Sequence, residues 1–476
     1  MLIAFTKMEE VTKNGQPLGR SLLLLVVACL LTHQSEAQVP LTKAQADTLY
    51  SQRLSSNWMK FVVPPNWSEF VPYFSIYENP VGDYFADVNE QTLIPVGYES
   101  FPIYYVDPIS GADSKDGSRK DRAFRSIAKA LSMSGNKRIL CRPALYDYIT
   151  GWKGSSSSGK VIVEPWDETG SVVSSGHIPN IVWTPLGGGL YTARCSTFPH
   201  EVLDEIQKDE WGNGVRYRRE SDSDDVEEDA GTFYVSGKDI VVHTLDGRTP
   251  DSDLWIFTNQ PNGRFNSNGE LYVRNLEFRG GFVPFQCLTT VPGQIATFID
   301  CTFRYSVTGQ DGYSMEGPGL SIAIRCKSTG NYGDGFDYRY GRNFIEVDCN
   351  GSANGIGSSY LDNGTTAHYG SIGITIGGLY SQNKGRNIHD VFDSKRLLLG
   401  ATVGASRGID ASRADICSGA STATSPDRTE IWALGIRYLH GSPVARSTAS
   451  EGKIWYRRHV SSGTDTSEQR GTIRPI

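Results

Sequence analysis

The densest run of ionisable and aromatic residues in the chain is NYGDGFDYRYGRNFIEVDC, Asn331 to Cys349, followed by Asp362 and His368. Asp334 and Asp337 stand three apart around Gly335. That spacing can bring both carboxyls to one turn and separate their pKa values for acid and base work. Paired carboxyls are the equipment of glycoside hydrolysis, where one protonates the leaving oxygen and the other acts as base or nucleophile. His368 adds a group that titrates near neutrality. Asp334, Asp337 and His368 are therefore the expected catalytic residues. Tyr338, Arg339 and Tyr340 offer ring faces and a guanidinium suited to sugar, and Glu346 joins them as an expected substrate-binding residue. Glu346 and Asp348 alternate with Ile345 and Val347, so on a strand the two acids are expected to point outward. A plainer account competes at each position. Asp beside Gly caps tight turns, Tyr is a good strand former, and single histidines such as His368 and His389 are commonly structural.

No residue pattern calls for a metal or an organic cofactor. The eight cysteines contain no Cys-x-x-Cys pair. Cys287, Cys301, Cys326 and Cys349 follow one another at steps of 14, 25 and 23 residues, which reads as repeated small inward positions without disulfides. The loop Asp113-Ser114-Lys115-Asp116-Gly117 has oxygen ligands for calcium, but a solvated turn accounts for it better. A net charge of -7 with no Lys/Arg block argues against nucleic acid as a partner.

The elements that must position these groups are legible from Leu271 onward: LYVRNLEFRGG, TFIDCTFRYS, IAIRCKSTGN, NFIEVDCNGSAN, ITIGGLYSQN and LLLGATVGAS. Each is a short apolar β run, a small or polar turn residue and a second short strand, offset from the next by about one coil of a solenoid. Fifty-one glycines and 21% charged residues suit a turn-rich all-β chain. Upstream, YYVDPISGADSKDGSRKDRAFRSIAKAL, Tyr104 to Leu131, gives a strand, an acidic loop and a short helix bearing Ala123, Phe124, Ile127, Ala128 and Leu131 on one face. This segment and the repeats resemble the right-handed parallel β-helices of the pectate-lyase-like superfamily. The resemblance implies a helix-capped solenoid with a polysaccharide groove along one parallel sheet. GTFYVSGKDIVVHTLDGRTPDSDLWIF, Gly231 to Phe257, is similar to the side hairpin near the first coils of such enzymes, and an insertion is expected at about 200–257. The acidic tract Glu220–Asp229 reads as an exposed loop. The Asp-Gly-Phe-Asp run is loosely similar to the Asp-Gly-Ile-Asp region of polygalacturonase-like hydrolases. Their following Asp-Asp pair, Gly-His-Gly triplet and Arg-x-Lys are not found, so that mechanism does not carry over whole.

The expected organisation is 1–58 leader or anchor plus neck, 59–102 aromatic adaptor, and 103–476 β-helix. Arg20 to Gln38 has a basic residue, an apolar run from Leu22 to Leu31 and a small-residue end at Ala37, consistent with a cleaved secretory leader or a retained anchor. LTKAQADTLYSQRL, Leu41 to Leu54, resembles the neck linkers of bacteriophage tail spikes, and an amphipathic helix explains the same residues. The expected function is polysaccharide binding, with or without depolymerisation, by a homotrimeric virion spike whose N-terminus meets other virion proteins. A secreted bacterial lyase or hydrolase and a non-enzymatic adhesin are the alternatives.

Overall fold

The computed structural model describes residues 58–155, 159–167, 170–307, 309–356, 362–407, 415–419, 427–439 and 452–457, together with strands at 445–447, 466–467 and 472–475. The leader and the neck-like segment lie outside the described residues.

The described chain is all-β, a right-handed parallel β-helix built of three sheets of twelve, nine and ten strands. These are sheets I, II and III below. One coil shows how it is made. Gly319–Ile324 runs in sheet I, the chain turns at Arg325, Lys327–Thr329 runs in sheet II, a longer turn follows, and Phe336–Arg339 runs in sheet III. Arg342–Val347 then pairs in register with Gly319–Ile324, and the cycle repeats. Strands this short hold because each side chain that alternates inward meets its counterparts one coil above and below. Phe278, Phe285, Phe298, Phe303, Tyr313, Phe336, Tyr338 and Phe344 fill the interior in this way.

The corner between sheets I and II repeats one backbone device. Asn275, Asp300, Arg325, Asp348, Gly377, Gly400 and Gly435 all take positive φ there, a conformation that Gly, Asn and Asp reach most cheaply. After six of the seven, the following residue is turned inward: Leu276, Cys301, Cys326, Cys349, Ala401 and Ile436 are all buried. Cys301, Cys326 and Cys349 are thus small, buried inward groups that form no disulfide, and Cys287 sits inward in sheet III.

The helix of the entry segment covers Ile127–Leu131, with Ser126 capping it, and packs Ile127, Ala130 and Leu131 into the interior cluster. Ala123 and Phe124 precede the helix, and Phe124 bridges to Val106. The acidic loop beside it uses its carboxylates internally. Asp113 accepts from the backbone of Arg125 and Ser126, and Asp116 pairs with Arg122.

Residues 59–102 lie on the outer face of sheet I, where Trp67, Phe70, Phe74, Ile76 and Tyr84 cover Ile322, Ile345, Val347, Ile374 and Leu397. Strands from Thr184 to Thr258 leave the coil as two small sheets, antiparallel except where Arg218–Arg219 runs parallel to Thr232–Ser236, with their own core. Leu203, Trp255 and Phe257 of this side body rest on Tyr305 and Val307 of the helix. Within the acidic tract, Ser223–Glu228 forms one short helix, capped by Asp222 and burying only Val226. Among the described residues no helix is long and apolar enough to cross a membrane.

Candidate active site

The turns between sheets II and III carry the candidate acids, and two polar ladders fix those turns. In the first, Asn331 Nδ2 donates to Asn354 Oδ1 at 3.0 Å, and Asn354 Nδ2 donates to Asn383 Oδ1 at 3.1 Å. In the second, Asp334 N donates to Asp311 Oδ1 at 2.9 Å, Asn363 N to Asp334 Oδ1 at 2.5 Å, and Arg386 N to Asn363 Oδ1 at 2.9 Å. In the second ladder each side-chain oxygen accepts from a backbone N–H of the following coil, and in the first Asn354 and Asn383 accept from backbone N–H groups of the preceding one, as burial requires. The turn-capping account of Asp334 holds for one of its oxygens and leaves the other free of the ladder.

Asp337 stands on the strand Phe336–Arg339 and meets no backbone donor. Its neighbours are the Arg339 guanidinium, His368 Nε2 at 3.2 Å and the Ser314 hydroxyl at 3.4 Å. Arg339 also donates to Asp311 Oδ2 at 2.9 Å, and His368 Nε2 lies 4.0 Å from Asp334 Oδ2. Strand alternation produces this cluster. Phe336 and Tyr338 point into the coil, so Asp337 and Arg339 point out, in line with Ser314 and Glu316 of the preceding coil. The structure thus brings Asp334, Asp337, His368 and Arg339 together.

It separates two of the other expected residues from them. Tyr338 is fully buried and its ring stacks on Phe344 at 4.2 Å, so it presents no face to a ligand. Glu346 also corrects the outward expectation. It points into the coil, where Thr365 donates to it at 2.8 Å, Tyr380 hydrogen-bonds it and Arg396 approaches at 3.7 Å. The alternation is as expected but its sense is reversed, because residues 59–102 cover sheet I and make its outer face the apolar one at Ile345 and Val347. Tyr340 is exposed beside Arg339, and Asp348 is exposed at the corner.

Asp311 is the member that the sequence reading missed. A signal was present: Asp311-Gly312-Tyr313 repeats one coil later as Asp334-Gly335-Phe336, and again as Asn363-Gly364-Thr365.

The charges of the cluster are interdependent. Burial and the neighbouring Asp337 charge raise the Asp311 carboxyl well above the ordinary carboxylate range. Burial would raise Asp337 as well, but Arg339 and His368 outweigh it and hold that carboxyl low. Burial disfavours the His368 imidazolium, yet Asp334 and Asp337 overcome this and bring it up to about 9. At neutral pH His368 is therefore charged beside an ionised Asp337, and Asp311 is the carboxyl of the cluster that holds its proton more readily than Asp337 does. Access divides the roles. The Asp337 side chain is 0% exposed, whereas Asp334, Asp311, His368 and Arg339 keep 9%, 12%, 20% and 33%. Asp337 lies beneath the other groups and the rest can touch a ligand.

Asp334, Asp337 and His368 place one ligand atom each within 4.8 Å, a spacing that would suit a cation. Arg339 already neutralises Asp337, so a cation at this donor set would compete with that guanidinium.

No protein-family model and no curated protein sequence matches the chain. Among solved structures, it is similar to XylC in complex with xylose, at 9% identity over 73% of this chain and 69% of that one, TM-score 0.37. A rhamnogalacturonan lyase shares 10% identity over 74% and 72%, TM-score 0.30. The tailspike protein gp49 from Pseudomonas phage LKA1 shares 12% over 72% and 64%, TM-score 0.20. Likeness at this level assigns no residue a role.

Proposed function

We propose that this protein binds a polysaccharide across the outer face of sheet III and hydrolyses its glycosidic bonds. The observation that supports this reading most is a cluster whose carboxyls are driven in opposite directions, Asp311 raised by burial and Asp337 held low by Arg339 and His368, with Asp334 Oδ2 beside the same His368. Asp311 donates its proton to the leaving glycosidic oxygen. Asp334 Oδ2 takes a proton from the water whose hydroxyl adds to the anomeric carbon. Asp337 is a positioning residue that keeps His368 and Arg339 charged and aimed. Elimination on a uronate would need a cation free to neutralise the sugar carboxylate. Arg339 is instead paired twice, to Asp311 and Asp337.

The reading extends to a homotrimeric virion spike that recognises host-surface glycan and meets other virion proteins through its N-terminus. The neck-like segment Leu41 to Leu54 supports it. The leader-like Arg20 to Gln38 favours instead a secreted enzyme acting on the same class of substrate. Release of reducing ends from bacterial surface polysaccharides tests the catalytic core of the proposal. Asp311→Asn retains the ladder acceptor and removes the proton, so it should bind glycan as wild type does and lose on the order of 10²–10⁴ in rate. An unchanged rate would remove Asp311 from the mechanism.

A further inference from the structure

Beside the carboxyl cluster, three successive coils place an aromatic residue at the same position of the turn that leaves sheet III. Tyr340 stacks on Tyr369 with ring centres 5.0 Å apart and planes 5° from parallel, and Tyr369 stacks on Phe392 at 4.8 Å and 6°. All three have positive φ, at 60°, 54° and 56°. That conformation is costly for any residue but glycine, and such strain collects at ligand clamps. Both faces of Tyr369 are covered. Tyr340 uses one face only and is 55% exposed.

The coil before Tyr340 explains the open face. Glu316 pairs with Arg339, so the next residue, Gly317, stands where Tyr340 stands one coil later. It has no side chain to continue the stack. It also cannot acquire one easily, since a Cβ there would come 1.9 Å from the Thr289 carbonyl oxygen, at φ +86°. With no ring at Gly317, the outer face of Tyr340 is left unstacked, and Glu316 and Arg339 directly precede Gly317 and Tyr340 in the chain.

Resting on the hydrolase reading above, we propose that this open face of Tyr340 is a sugar subsite that takes one pyranose ring of an uncharged glycan. A pyranose has an apolar face for stacking and a rim of hydroxyls, which matches an open aromatic plane. A uronate would also need a cation, and Arg339, the residue before Tyr340, already serves two carboxyls. His368 links the subsite to the chemistry, with its ring centre 5.9 Å from that of Tyr369.

The experiment is binding calorimetry on the Asp311→Asn protein, which leaves the ligand intact. The probes are xylo-, manno-, gluco- and galacto-oligosaccharides, with oligogalacturonate as the charged comparator. Tyr340→Gly removes the ring at a position whose backbone suits glycine. It should keep or raise the melting temperature and weaken binding of the best neutral oligosaccharide about tenfold, while Tyr340→Phe stays within about twofold. Unchanged affinity in Tyr340→Gly would overturn the subsite and leave the hydrolase reading standing, because that reading depends on Asp311. Tightest binding of oligogalacturonate would overturn the uncharged class, and no binding of any probe would overturn both the subsite and the glycan reading.

Discussion

Asp337 exerts its influence without reaching solvent. Its charge lies against Arg339 and His368, and through them it sets the state of the groups that face outward. The His368 pKa is raised from 6.5 to about 9. A raised folded-state value means that the charged ring contributes stability fully below about pH 6.5, and the contribution is lost as pH rises through about 9. Asp337 is depressed, so its contribution is present above the ordinary carboxyl value and is lost as pH falls through its folded one. Asp311 runs the other way, since ionising it in place is disfavoured as pH rises. Melting temperatures measured from pH 6 to pH 10 should therefore fall on the alkaline side in wild type and fall less in His368→Gln. In Asp337→Asn the imidazolium loses its nearest counter-charge, so the His368 titration followed by NMR should move to lower pH. An unmoved titration would show that Asp337 does not govern His368.

The turn between sheets II and III is the element on which the site depends. Asn354 serves three coils at once: its Oδ1 accepts from Asn331 N and Nδ2, and its Nδ2 donates to the Ser328 carbonyl and to Asn383. Asn354→Ala leaves buried donors and acceptors unsatisfied, which should lower unfolding stability by about 1–3 kcal/mol or more in denaturant titrations. Because the Asp334 turn spans the same coils, activity should fall with it. The strand repeats from Leu271 were legible because inward and outward residues alternate in short units ended by Asn, Asp or Gly. The direction of sheet I was not. Glu346 looks like an outward charge in isolation, and only the aperiodic aromatic segment 59–102, packed far away in sequence, makes outward the apolar side. Asp311 was hidden for a related reason, since its partner Asp337 is one coil later and spacing within a single segment cannot pair them.

At the scale of the whole molecule, residues 59–102 cover the outer face of sheet I, while the side body rests on turns entering sheet III through Tyr305 and Val307. Sheet III carries the carboxyl cluster and the exposed Tyr340 along its outer side. The spike reading adds that three such chains associate through the neck, because a trimer presents the same glycan-binding face three times and binds a repeating surface polymer with high avidity. Native mass spectrometry of the full-length chain should give three chains per particle, and one chain per particle would remove the trimeric spike.

Hydrolysis at the cluster of Asp311, Asp334 and His368 leaves its mark on the oxygen of the new chain end. Cleavage of a bacterial surface polysaccharide in water enriched in heavy oxygen should place one solvent oxygen on the anomeric carbon of each new reducing end. Wild type should give this product, and Asp311→Asn little or none. An unsaturated product that carries no solvent oxygen would show elimination and contradict the account.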